Sequence, residues 1–492
     1  MEFQAPTVNL FAILPLLIVV GWSMVLMIVD LFVSAENKRL IGWLALLGYV
    51  AAFISTLTLW GDAWGAFTPV GGTPMILVDN YSNFLNALFL LSGALSVLLA
   101  INYLERTGLQ RGEYYYLMMF SISGMMLMGM ANDLILVFLA LELLSIPLYV
   151  LSAFAHPHPA SEEAGMKYFL LGAFSSGFLV FGIALLYGAA GSTALPAVLA
   201  AVSTGGVLAA AGTALLLVGF AFKVAAVPFH MWTPDVYEGA PTAVTAFMSV
   251  GAKIGGFAAM IRVFVSALPD LGDAWVPAVA VIAALTMILG NVVALVQGNV
   301  KRMLAYSSIA HAGYILIAVA ASTQSADAVP AGLFYMMAYL FTNLGAFAVV
   351  IALEQREGRG LQLDDYRGLW SRHPFFALAL AYFMLSLTGI PPTGGFSGKF
   401  FLFRSALEAD LLWLAIVGVV TSVISGYFYL RLVYLSFMFP AEGELAVDRA
   451  PGLNLAVSIA ALATLILGLI PGPWFDLARQ AMLNGVALIA GG

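Results

Sequence analysis

Apolar runs of about twenty residues follow one another along almost the whole chain, and short charged connections separate them. An apolar helix of that length crosses the hydrocarbon core of a bilayer. Of 492 residues, 62% are hydrophobic and only 9% are charged, against about 25% charged in soluble domains. This composition cannot cover a water-soluble surface, and the unbroken runs exclude the alternating strands of a membrane barrel. The sequence therefore predicts an all-α polytopic membrane protein.

About fourteen runs are long enough to be transmembrane helices. The apolar segment 471–492 that follows them is short and bounded by glycine, so we expect it to lie at the interface. No cleavable signal peptide is visible, and the first helix is expected to act as its own insertion signal. The predicted spans are 9–33, 40–60, 79–103, 113–130, 133–154, 163–189, 204–229, 240–268, 273–297, 302–321, 330–353, 374–408, 411–438 and 452–470.

Basic residues gather in the connections that follow odd-numbered helices, whereas only Arg262, Arg404 and Arg479 lie near the other ends. Because connections rich in lysine and arginine stay in the cytoplasm, this bias predicts that both termini lie outside, on the periplasmic side of a bacterial inner membrane. The basic residues of the first group are Lys38, Arg39, Arg106, Arg111, Lys167, Lys301, Arg302, Arg356, Arg359, Arg367, Arg372 and Arg449.

Two of the predicted helices are interrupted by proline motifs, the seventh at 228–234 and the twelfth at 389–395. Each break has a lysine beside it, Lys223 and Lys399. Five helices separate the breaks, so the two units would enter the membrane from opposite sides, which is typical of an inverted repeat. An isolated proline could instead be a kink tolerated by packing. The predicted divisions are a three-helix segment 1–112, two inverted five-helix repeats 113–268 and 269–438, and a C-terminal part 439–492.

Four ionisable residues stand near the middle of predicted helices, and a histidine lies in a fifth helix. One charge at the bilayer centre costs about 2.5 to 3.5 kcal/mol, so four oppose insertion by on the order of 10 kcal/mol. They are therefore expected to face the bundle interior, to pair, or to contact internal water. The residues are Glu142, Lys223, Lys253, Lys399 and His311.

One carboxylate cannot neutralise three lysines, so at least one lysine is predicted to stand between its charged and neutral forms. Such groups titrate together, because moving one proton changes the preference of the next. A histidine, whose ordinary pKa lies near neutrality, suits a relay between them. Two structural alternatives stay open: Glu142 could form an ion pair that only fixes packing, and His311 could be a hydrogen-bonded packing residue.

The chain lacks the motifs of redox and nucleotide chemistry. It has no cysteine, which excludes clusters and metal sites held by thiolates, and it has neither a dinucleotide nor a P-loop motif. His156 and His158 lie in a proline-rich connection and are expected to be loop residues, not metal ligands. We therefore predict no cofactor or metal in this chain, and a partner protein or an ion gradient must drive the titration.

Three motifs occur in order across most of the chain: KVAAVPFHMWTPDVYEGAPT at 223–242, NVKRMLAYSSIAHAGY at 299–314 and GIPPTGGFSGK at 389–399. With Lys253, they resemble the antiporter-like membrane subunits of respiratory complex I, the NADH-quinone oxidoreductase. Within that family the chain is most similar to the subunit N branch. The M branch carries glutamate at the position of Lys399, and no residues remain here for the long lateral helix of the L branch.

The resemblance implies a role for each candidate residue. Glu142 and Lys223 would be the charged pair that gates proton movement, Lys253 the central relay, and Lys399 the group that exchanges protons toward the exit or the next subunit. His311 would complete the relay, with a less defined role. The family also implies that NADH, flavin, iron–sulfur clusters and quinone belong to partner subunits, which include further antiporter-like subunits.

The leading hypothesis is thus a non-redox subunit that translocates protons along a hydrated polar axis. A second hypothesis is a component of a multisubunit sodium/proton antiporter or membrane hydrogenase, but three central lysines would repel sodium. A third is a structural scaffold that joins active subunits in the lipid bilayer. Nothing in the net charge of −7 suggests a nucleic-acid partner.

Overall fold

A computed structural model describes residues 6–204, 206–355, 358–441 and 447–481. Within these ranges the chain forms nineteen α-helices and a short antiparallel hairpin, Trp64–Ala66 (β1) with Ile76–Val78 (β2). The helices are Leu14–Asp30 (α1), Arg39–Leu57 (α2), Asn80–Thr107 (α3), Glu113–Met130 (α4), Leu134–Ser152 (α5), Pro159–Ala190 (α6), Leu195–Val202 (α7), Gly206–Lys223 (α8), Trp232–Gly239 (α9), Thr242–Ala267 (α10), Gly272–Ala294 (α11), Val300–Ala321 (α12), Ala328–Leu353 (α13), Leu369–Arg372 (α14), Pro374–Thr388 (α15), Gly394–Glu408 (α16), Leu412–Met438 (α17), Pro451–Leu469 (α18) and Pro471–Gln480 (α19).

Eleven helical segments of the described chain are long and apolar enough to cross a membrane, and α1 and α15 are shorter apolar helices. Backbone polar groups inside lipid must be satisfied within the spanning segment, which a helix achieves. The predicted class, an all-α polytopic membrane protein, is therefore confirmed.

Polar residues at the helix starts explain where several spans begin. Asp79 accepts a hydrogen bond from the Ser82 amide at 2.8 Å and caps α3, and Asp133 caps α5 in the same way. Asn299 caps α12 through the Arg302 amide. A side-chain oxygen at this position satisfies an amide that has no partner in the first helical turn.

Three helices form the centre of the molecule. The apolar windows of α10 and α13 are buried along their whole length, and that of α12 almost completely. By contrast, α2, α6 and α18 bury well under half of theirs and surround the centre. The buried residues of the central helices include Lys253, Arg262 and His311, so the fold places these polar groups where lipid cannot reach them.

Hydrogen bonds between connections define two opposite ends of the bundle. At the first end, Arg39 pairs with Glu105, and Lys301 donates to the Ala240 carbonyl. We call this end the basic face; its basic residues include Lys38, Arg39, Arg106, Lys167, Lys301, Arg302 and Arg449. At the opposite face Arg479 pairs with Asp327, Asn80 donates to the Gln480 carbonyl, and Thr7 pairs with Thr68. The first and last described segments thus share the opposite face.

Two helical paths are interrupted where the sequence has its proline motifs. α8 ends at Lys223 and helix resumes at Trp232, while α15 ends at Thr388 and α16 begins at Gly394. A side chain at residue 395 would place its Cβ 1.9 Å from the Ser386 carbonyl oxygen, so only glycine fits there. The second break therefore brings two backbone segments into direct contact.

Some elements differ from the sequence-based expectation. The β1–β2 hairpin and the short helix α7 were not predicted, because segments of 3 and 8 residues carry too little periodicity to be recognised. The segment expected at the interface begins as α19, whose Phe475 is buried and whose Arg479 binds Asp327. Residues 482–492 of that segment, and Arg356 of the basic connections, lie outside the described residues.

Candidate functional site

Glu142 and Lys223 belong to one group of polar side chains between α5, α6 and α8, which we call the first cluster: Glu142, Ser145, Tyr168, Ser176 and Lys223. The Glu142 carboxylate accepts a hydrogen bond of 2.5 Å from the Ser176 hydroxyl. The Lys223 ammonium donates to the Ser145 hydroxyl at 2.7 Å and more weakly to the Tyr168 hydroxyl at 3.4 Å. No salt bridge joins Glu142 to Lys223 in the described structure, so serines separate the two charges.

A small cavity lies beside Lys223. Ser145, Ser176 and Lys223 line it, together with Tyr149. The space open to the centre of a water molecule is about 10 Å³, roughly what one water needs. Glu142 is partly exposed on the outer side of α5, whereas Lys223 is 5% exposed. The first cluster can therefore take up a single water between Lys223 and Ser176, the serine that donates to Glu142.

Lys253 is the first member of a second group, which we call the second cluster: Lys253, Ser308, His311, Tyr335, Tyr339, Tyr429, Tyr314 and Lys399. The Lys253 ammonium donates to the Ser308 carbonyl and, at 2.5 Å, to the Ser308 hydroxyl. Tyr339 donates to the same hydroxyl at 2.9 Å. All three residues are buried, which places this chain of hydroxyls at the centre of the bundle.

His311 lies one helical turn from Ser308 and is surrounded by tyrosines. Its Nδ1 is 2.6 Å from the Tyr335 hydroxyl, and its Nε2 is 3.1 Å from the Tyr429 hydroxyl. The rings of Tyr339 and Tyr314 lie against the imidazole, with centroids at 5.0 and 5.7 Å. Both ring nitrogens thus contact a group that can give or accept a proton.

Lys399 ends the second cluster at the break between α15 and α16. Its ammonium donates to the carbonyls of Leu387 and Thr388 at 3.0 and 2.9 Å, and to the Ser422 hydroxyl at 2.7 Å. It also lies 4.6 Å from the centroid of the Tyr314 ring, in cation–π range. The two carbonyls belong to the last turn of α15, where the helix dipole favours a cation.

The two clusters approach each other at Gly256 without a polar link. A Cβ at residue 256 would lie 3.2 Å from Cγ of Lys223 and 2.9 Å from Cγ1 of Val224. Gly256 is one turn along α10 from Lys253. Among the described hydrogen bonds none connects Lys223 with Lys253, so an apolar step of about one helical turn separates them.

Glu142 and the three candidate lysines have no direct counter-charge among the described residues. No salt bridge in the described chain involves Glu142 or any of the three lysines, and the buried ammonium groups bind hydroxyls and backbone carbonyls. A lysine held only by neutral dipoles can lose its proton without leaving a buried carboxylate unpaired. The expected pairing of Glu142 with a lysine is therefore absent as a direct contact in this conformation.

Another buried cation is Arg262, which the sequence analysis placed only near a helix end. Its guanidinium binds both carboxylate oxygens of Asp79 at 2.8 and 3.1 Å, and its Nε donates to the Gly129 carbonyl. It also lies 4.9 Å from the Tyr81 ring centroid. Arg262 and Asp79 are 1% and 6% exposed. This ion pair ties α10 to the start of α3 near the opposite face.

Sequence reasoning also missed the neutral members of the second cluster. Tyr335, Tyr339 and Asn343 recur at intervals of four in α13, and Ser307, His311 and Tyr314 at intervals of four and three in α12. These intervals place each set on one helical face. Polar stripes on helices that are otherwise apolar were the signal that could have revealed them.

An ionic network on the basic face joins α6, α9 and α12. Asp235 accepts hydrogen bonds from Lys167 and Arg302 at 2.7 and 2.8 Å, and Arg302 also binds Glu238. Partial burial raises the pKa of Asp235, but the hydrogen bonds from the two cations outweigh it and hold that pKa below its usual value. Ion pairs therefore hold α9, the short helix after the first break, against both α6 and α12.

Within the described residues, no group of three or more His, Cys, Asp or Glu side chains is placed to hold a metal ion. His156 lies beside Glu162, with Nδ1 2.5 Å from its carboxylate, and His158 precedes α6. The arrangement around the clusters instead supports proton exchange between hydroxyls, an imidazole, amines and a carboxylate.

Comparison with known proteins places the chain beside membrane subunits of respiratory enzymes. The family described as "NADH:quinone oxidoreductase/Mrp antiporter, TM" matches residues 131–425. The chain is 47% identical to NADH-quinone oxidoreductase subunit N of Chloroflexus aggregans, over 97% of this chain and 98% of the relative. It is 44% identical to the same subunit of Trichlorobacter lovleyi, over 97% of each chain.

The fold is likewise similar to solved structures. A chain of respiratory complex I from Thermus thermophilus with bound aureothin is 36% identical, with a TM-score of 0.80, over 94% of this chain and 99% of that one. A chain of the Mrp complex from Dietzia sp. has a TM-score of 0.83 at 22% identity, over 98% of this chain and 100% of that one. The second likeness concerns the fold alone.

Proposed function

Since this chain belongs to the subunit N family of antiporter-like membrane subunits of NADH-quinone oxidoreductase, we propose that its buried ionisable residues carry protons across the membrane. A subunit N is a proton-translocating part of the membrane arm of respiratory complex I, which is a translocase. The proposed path consists of Glu142, Lys223, Lys253, His311 and Lys399.

One observation carries the proposal: the buried ammonium groups are held by neutral acceptors. Lys253 binds a serine, and Lys399 binds two carbonyls and a serine. Because release of the proton leaves no carboxylate unpaired, each lysine can become neutral when a neighbouring charge changes. Buried lysines that served packing alone would need carboxylate partners to offset their desolvation.

The apolar step at Gly256 gives the path a natural gate. With Lys223 bound to Ser145, no polar link leads on to Lys253. When Lys223 moves toward Glu142, across the one-water cavity, its charge leaves the vicinity of α10 and favours protonation of Lys253. Redox chemistry need only shift the position of one charge for the second cluster to respond.

Energy for that shift comes from outside this chain. The antiporter-like family has no cofactor of its own, and the chain has no cysteine to bind an iron–sulfur cluster. NADH, flavin, iron–sulfur clusters and quinone are assigned to partner subunits of the complex. Those partners include further antiporter-like subunits, which would receive or deliver protons at Glu142 and Lys399.

The proposed architecture has fourteen crossings, with α8–α9 and α15–α16 each forming one broken crossing. Two units of five crossings, 113–268 and 269–438, form an inverted repeat between an N-terminal segment 1–112 and a C-terminal part 439–492. Helix packing supports the repeat: α4 packs on α5 and α10, as α11 packs on α12 and α17. Likewise α6 packs on both halves of one broken crossing and α13 on both halves of the other.

The basic face is assigned to the cytoplasmic side of a bacterial inner membrane. The positive-inside rule supports this orientation, since connections rich in lysine and arginine meet there. The first and last described segments share the opposite face, and this supports the proposal that both termini lie in the periplasm. Protons would then enter from the basic face and leave toward the opposite one.

Sodium transport is the main alternative, because the matched family includes Mrp antiporter subunits. Sodium requires several oxygen ligands, and the described residues contain no cluster of three or more acidic or histidine side chains. The likeness to the Mrp complex concerns the fold alone, whereas identity to subunit N relatives extends over nearly the full chain. Proton transport is therefore favoured over sodium transport.

The test is proton pumping by the assembled complex in vesicles, with Glu142→Gln or Lys223→Ala in this chain. We expect normal assembly and a lower proton-to-electron ratio, because each change removes a group that exchanges protons in the first cluster. Arg404→Ala is the control, since Arg404 is an exposed cation paired with Glu408 at the opposite face. Normal pumping by both variants would favour a scaffold, and loss of sodium transport alone would favour the antiporter.

A further inference from the structure

A cavity on the basic face lies beside the ends of α3, α10 and α13. It has a volume of about 520 Å³, and five titratable side chains line it: His156, His158, Glu238, Lys301 and Glu354. We call it the vestibule. Lys301 is 2% exposed and donates to the Ala240 carbonyl at 2.6 Å, just before α10 begins. The path described above uses none of these residues.

The inner end of the vestibule is joined to α10 by one tyrosine. The Tyr103 hydroxyl is 3.5 Å from the Glu354 carboxylate, and it accepts a hydrogen bond of 3.0 Å from the Thr242 amide. Tyr103 is itself buried. A proton that reaches Glu354 thus lies beside a hydroxyl that contacts the first residue of α10.

From Thr242, polar residues follow one face of α10 to the second cluster. Thr242, Thr245, Ser249 and Lys253 are spaced by three, four and four residues, and all are buried. From α13, the Asn343 amide donates to the Ser249 hydroxyl at 2.7 Å. We call Thr242, Thr245, Ser249 and Asn343 the seam. From Thr242 to Lys253 the route spans about 16 Å along α10, about half the thickness of the hydrocarbon core.

Serine, threonine and asparagine between membrane helices often serve only as packing contacts. Here, however, three buried oxygens along this route have no hydrogen-bond partner in the protein: Thr242 Oγ1, Asn343 Oδ1 and Glu354 Oε2. Each such oxygen would destabilise a dry interface by about 1 to 3 kcal/mol. Unpartnered oxygens at the entrance, the start and the middle of one polar route are what a file of water would satisfy.

Building on the function proposed above, we propose that the vestibule and the seam form the proton inlet from the basic face to Lys253. Glu354 and Lys301 collect protons in the vestibule, and Tyr103 passes them to water held along the seam. Delivery occurs at Lys253, on the far side of the Gly256 step from Lys223. The second cluster is thereby supplied directly and does not depend on protons that pass through Lys223.

The first test compares Asn343→Leu with Lys253→Met in the complex assembled in vesicles, with electron transfer measured in parallel. Leucine keeps the branched shape of Asn343 but removes the polar contact in the middle of the seam. We expect the proton-to-electron ratio to fall as far as in Lys253→Met, and Asn343→Ser to restore part of it. Asn83→Leu is the matched control, because Asn83 is equally buried, bonds through Nδ2 and has an unpartnered Oδ1, but lies in α3 near the opposite face.

The outcomes separate this proposal from the one it rests on. Normal pumping by Lys253→Met would overturn the relay itself. Loss of pumping in Lys253→Met with normal pumping in Asn343→Leu would overturn the seam and leave the relay standing. Equal loss in Asn343→Leu and Asn83→Leu would also overturn the seam, since a general packing defect explains that result.

A second test does not depend on a buried substitution. The chain has no cysteine, so Ala160→Cys places the single thiol of this subunit in the wall of the vestibule. A bulky uncharged maleimide added from the basic face should remove this subunit's share of pumping and leave electron transfer intact. Ser34→Cys, exposed on the same face outside the vestibule, is the control. Unchanged pumping by the fully labelled Ala160→Cys protein would overturn the vestibule as the inlet.

Discussion

Helix α10 carries two buried cations that are bound in different ways. Arg262, near the opposite face, has both carboxylate oxygens of Asp79, a backbone carbonyl and an aromatic ring around it. In the middle of the same helix, the ammonium of Lys253 donates to the hydroxyl and carbonyl of Ser308 and has no carboxylate partner among the described residues. One cation has a counter-charge, and the other is surrounded by neutral dipoles.

From this difference we expect Arg262 to be a structural cation and Lys253 to be one that can titrate. A guanidinium stays protonated in proteins, so its pairing with Asp79 is permanent and fixes α10 against α3. A buried lysine whose hydrogen-bond partners are neutral can lose its proton without leaving a counter-charge unpaired. Burial of a charge does not by itself indicate function. The charge of its hydrogen-bond partners distinguishes a structural cation from a candidate proton carrier.

Breaking the Arg262 pair should have the largest effect. Arg262→Met leaves Asp79 as an unpaired buried carboxylate, and we expect it to lower the free energy of unfolding by about 3 to 5 kcal/mol. Assembly yield and thermal denaturation of the purified complex measure this loss. The double variant Arg262→Met/Asp79→Leu should recover most of it, and an equally unstable double variant would contradict the assignment.

Lys253→Met should act in the opposite way. Methionine keeps the length of the side chain but removes the charge, and no carboxylate is left unpaired. We expect stability to change by less than about 1 kcal/mol, while this subunit's proton translocation is lost. Thermal denaturation and pumping of the same preparation test this. A loss of stability as large as that of Arg262→Met would erase the difference between the two cations.

Tyr339→Phe should have an intermediate effect. It removes the hydroxyl that donates to Ser308, but Lys253 still binds that residue. We expect a loss of about 0.5 to 1.5 kcal/mol in stability and a slower but measurable proton translocation. Tyr49→Phe is the control, because the Tyr49 hydroxyl is buried without a partner. Its pumping should match that of the unmodified chain.

Ser145→Ala, in the first cluster, should have a smaller effect than Ser308→Ala in the second. Lys223 loses its 2.7 Å hydrogen bond to Ser145, yet the adjoining cavity can hold a water that replaces the hydroxyl. Lys253 has no such cavity among the described ones. Pumping rates of the two variants, measured side by side, test the difference. A larger effect of Ser145→Ala than of Ser308→Ala would show that water does not replace the Ser145 hydroxyl.

The surface pair Asp327–Arg479 should contribute least. Hydrogen bonds from Arg479 lower the pKa of Asp327, so its stabilisation is complete above the ordinary pKa near 4. It is lost as the pH falls through the lowered pKa. An exposed pair of this kind contributes about 0.2 to 1 kcal/mol. Pepsin cleavage within α19 should therefore be faster in Asp327→Asn than in the unmodified chain at about pH 4, and the two rates should converge as the pH falls through the lowered pKa of Asp327.

The sequence predicted those features that depend on hydropathy and on single residues. Long apolar runs predicted the membrane class, and the GIPPTGG motif marked the place where α15 ends and α16 begins. Charges stand out in apolar helices, so Glu142, Lys223, Lys253, His311 and Lys399 were found at once. Their roles stay predictions until the variants are measured.

Contacts between helices could not be predicted in the same way. The pairing of Arg262 with Asp79 joins residues 183 positions apart, and no local pattern records such a distance. The tyrosines around His311 come from three helices, α12, α13 and α17. The separation of Glu142 from Lys223 also depends on the exact rotation of α5 and α8, which periodicity does not specify.

Lys399 has a mechanical consequence as well as an electrical one. Its ammonium holds the last carbonyls of α15 while its backbone belongs to α16. A positive charge at a helix end is worth about 0.3 to 1 kcal/mol, and discharge removes that attraction. If Lys399 releases its proton as proposed, we expect the hinge between the two half-helices to loosen, so that the stiffness of this break follows the proton occupancy of one side chain.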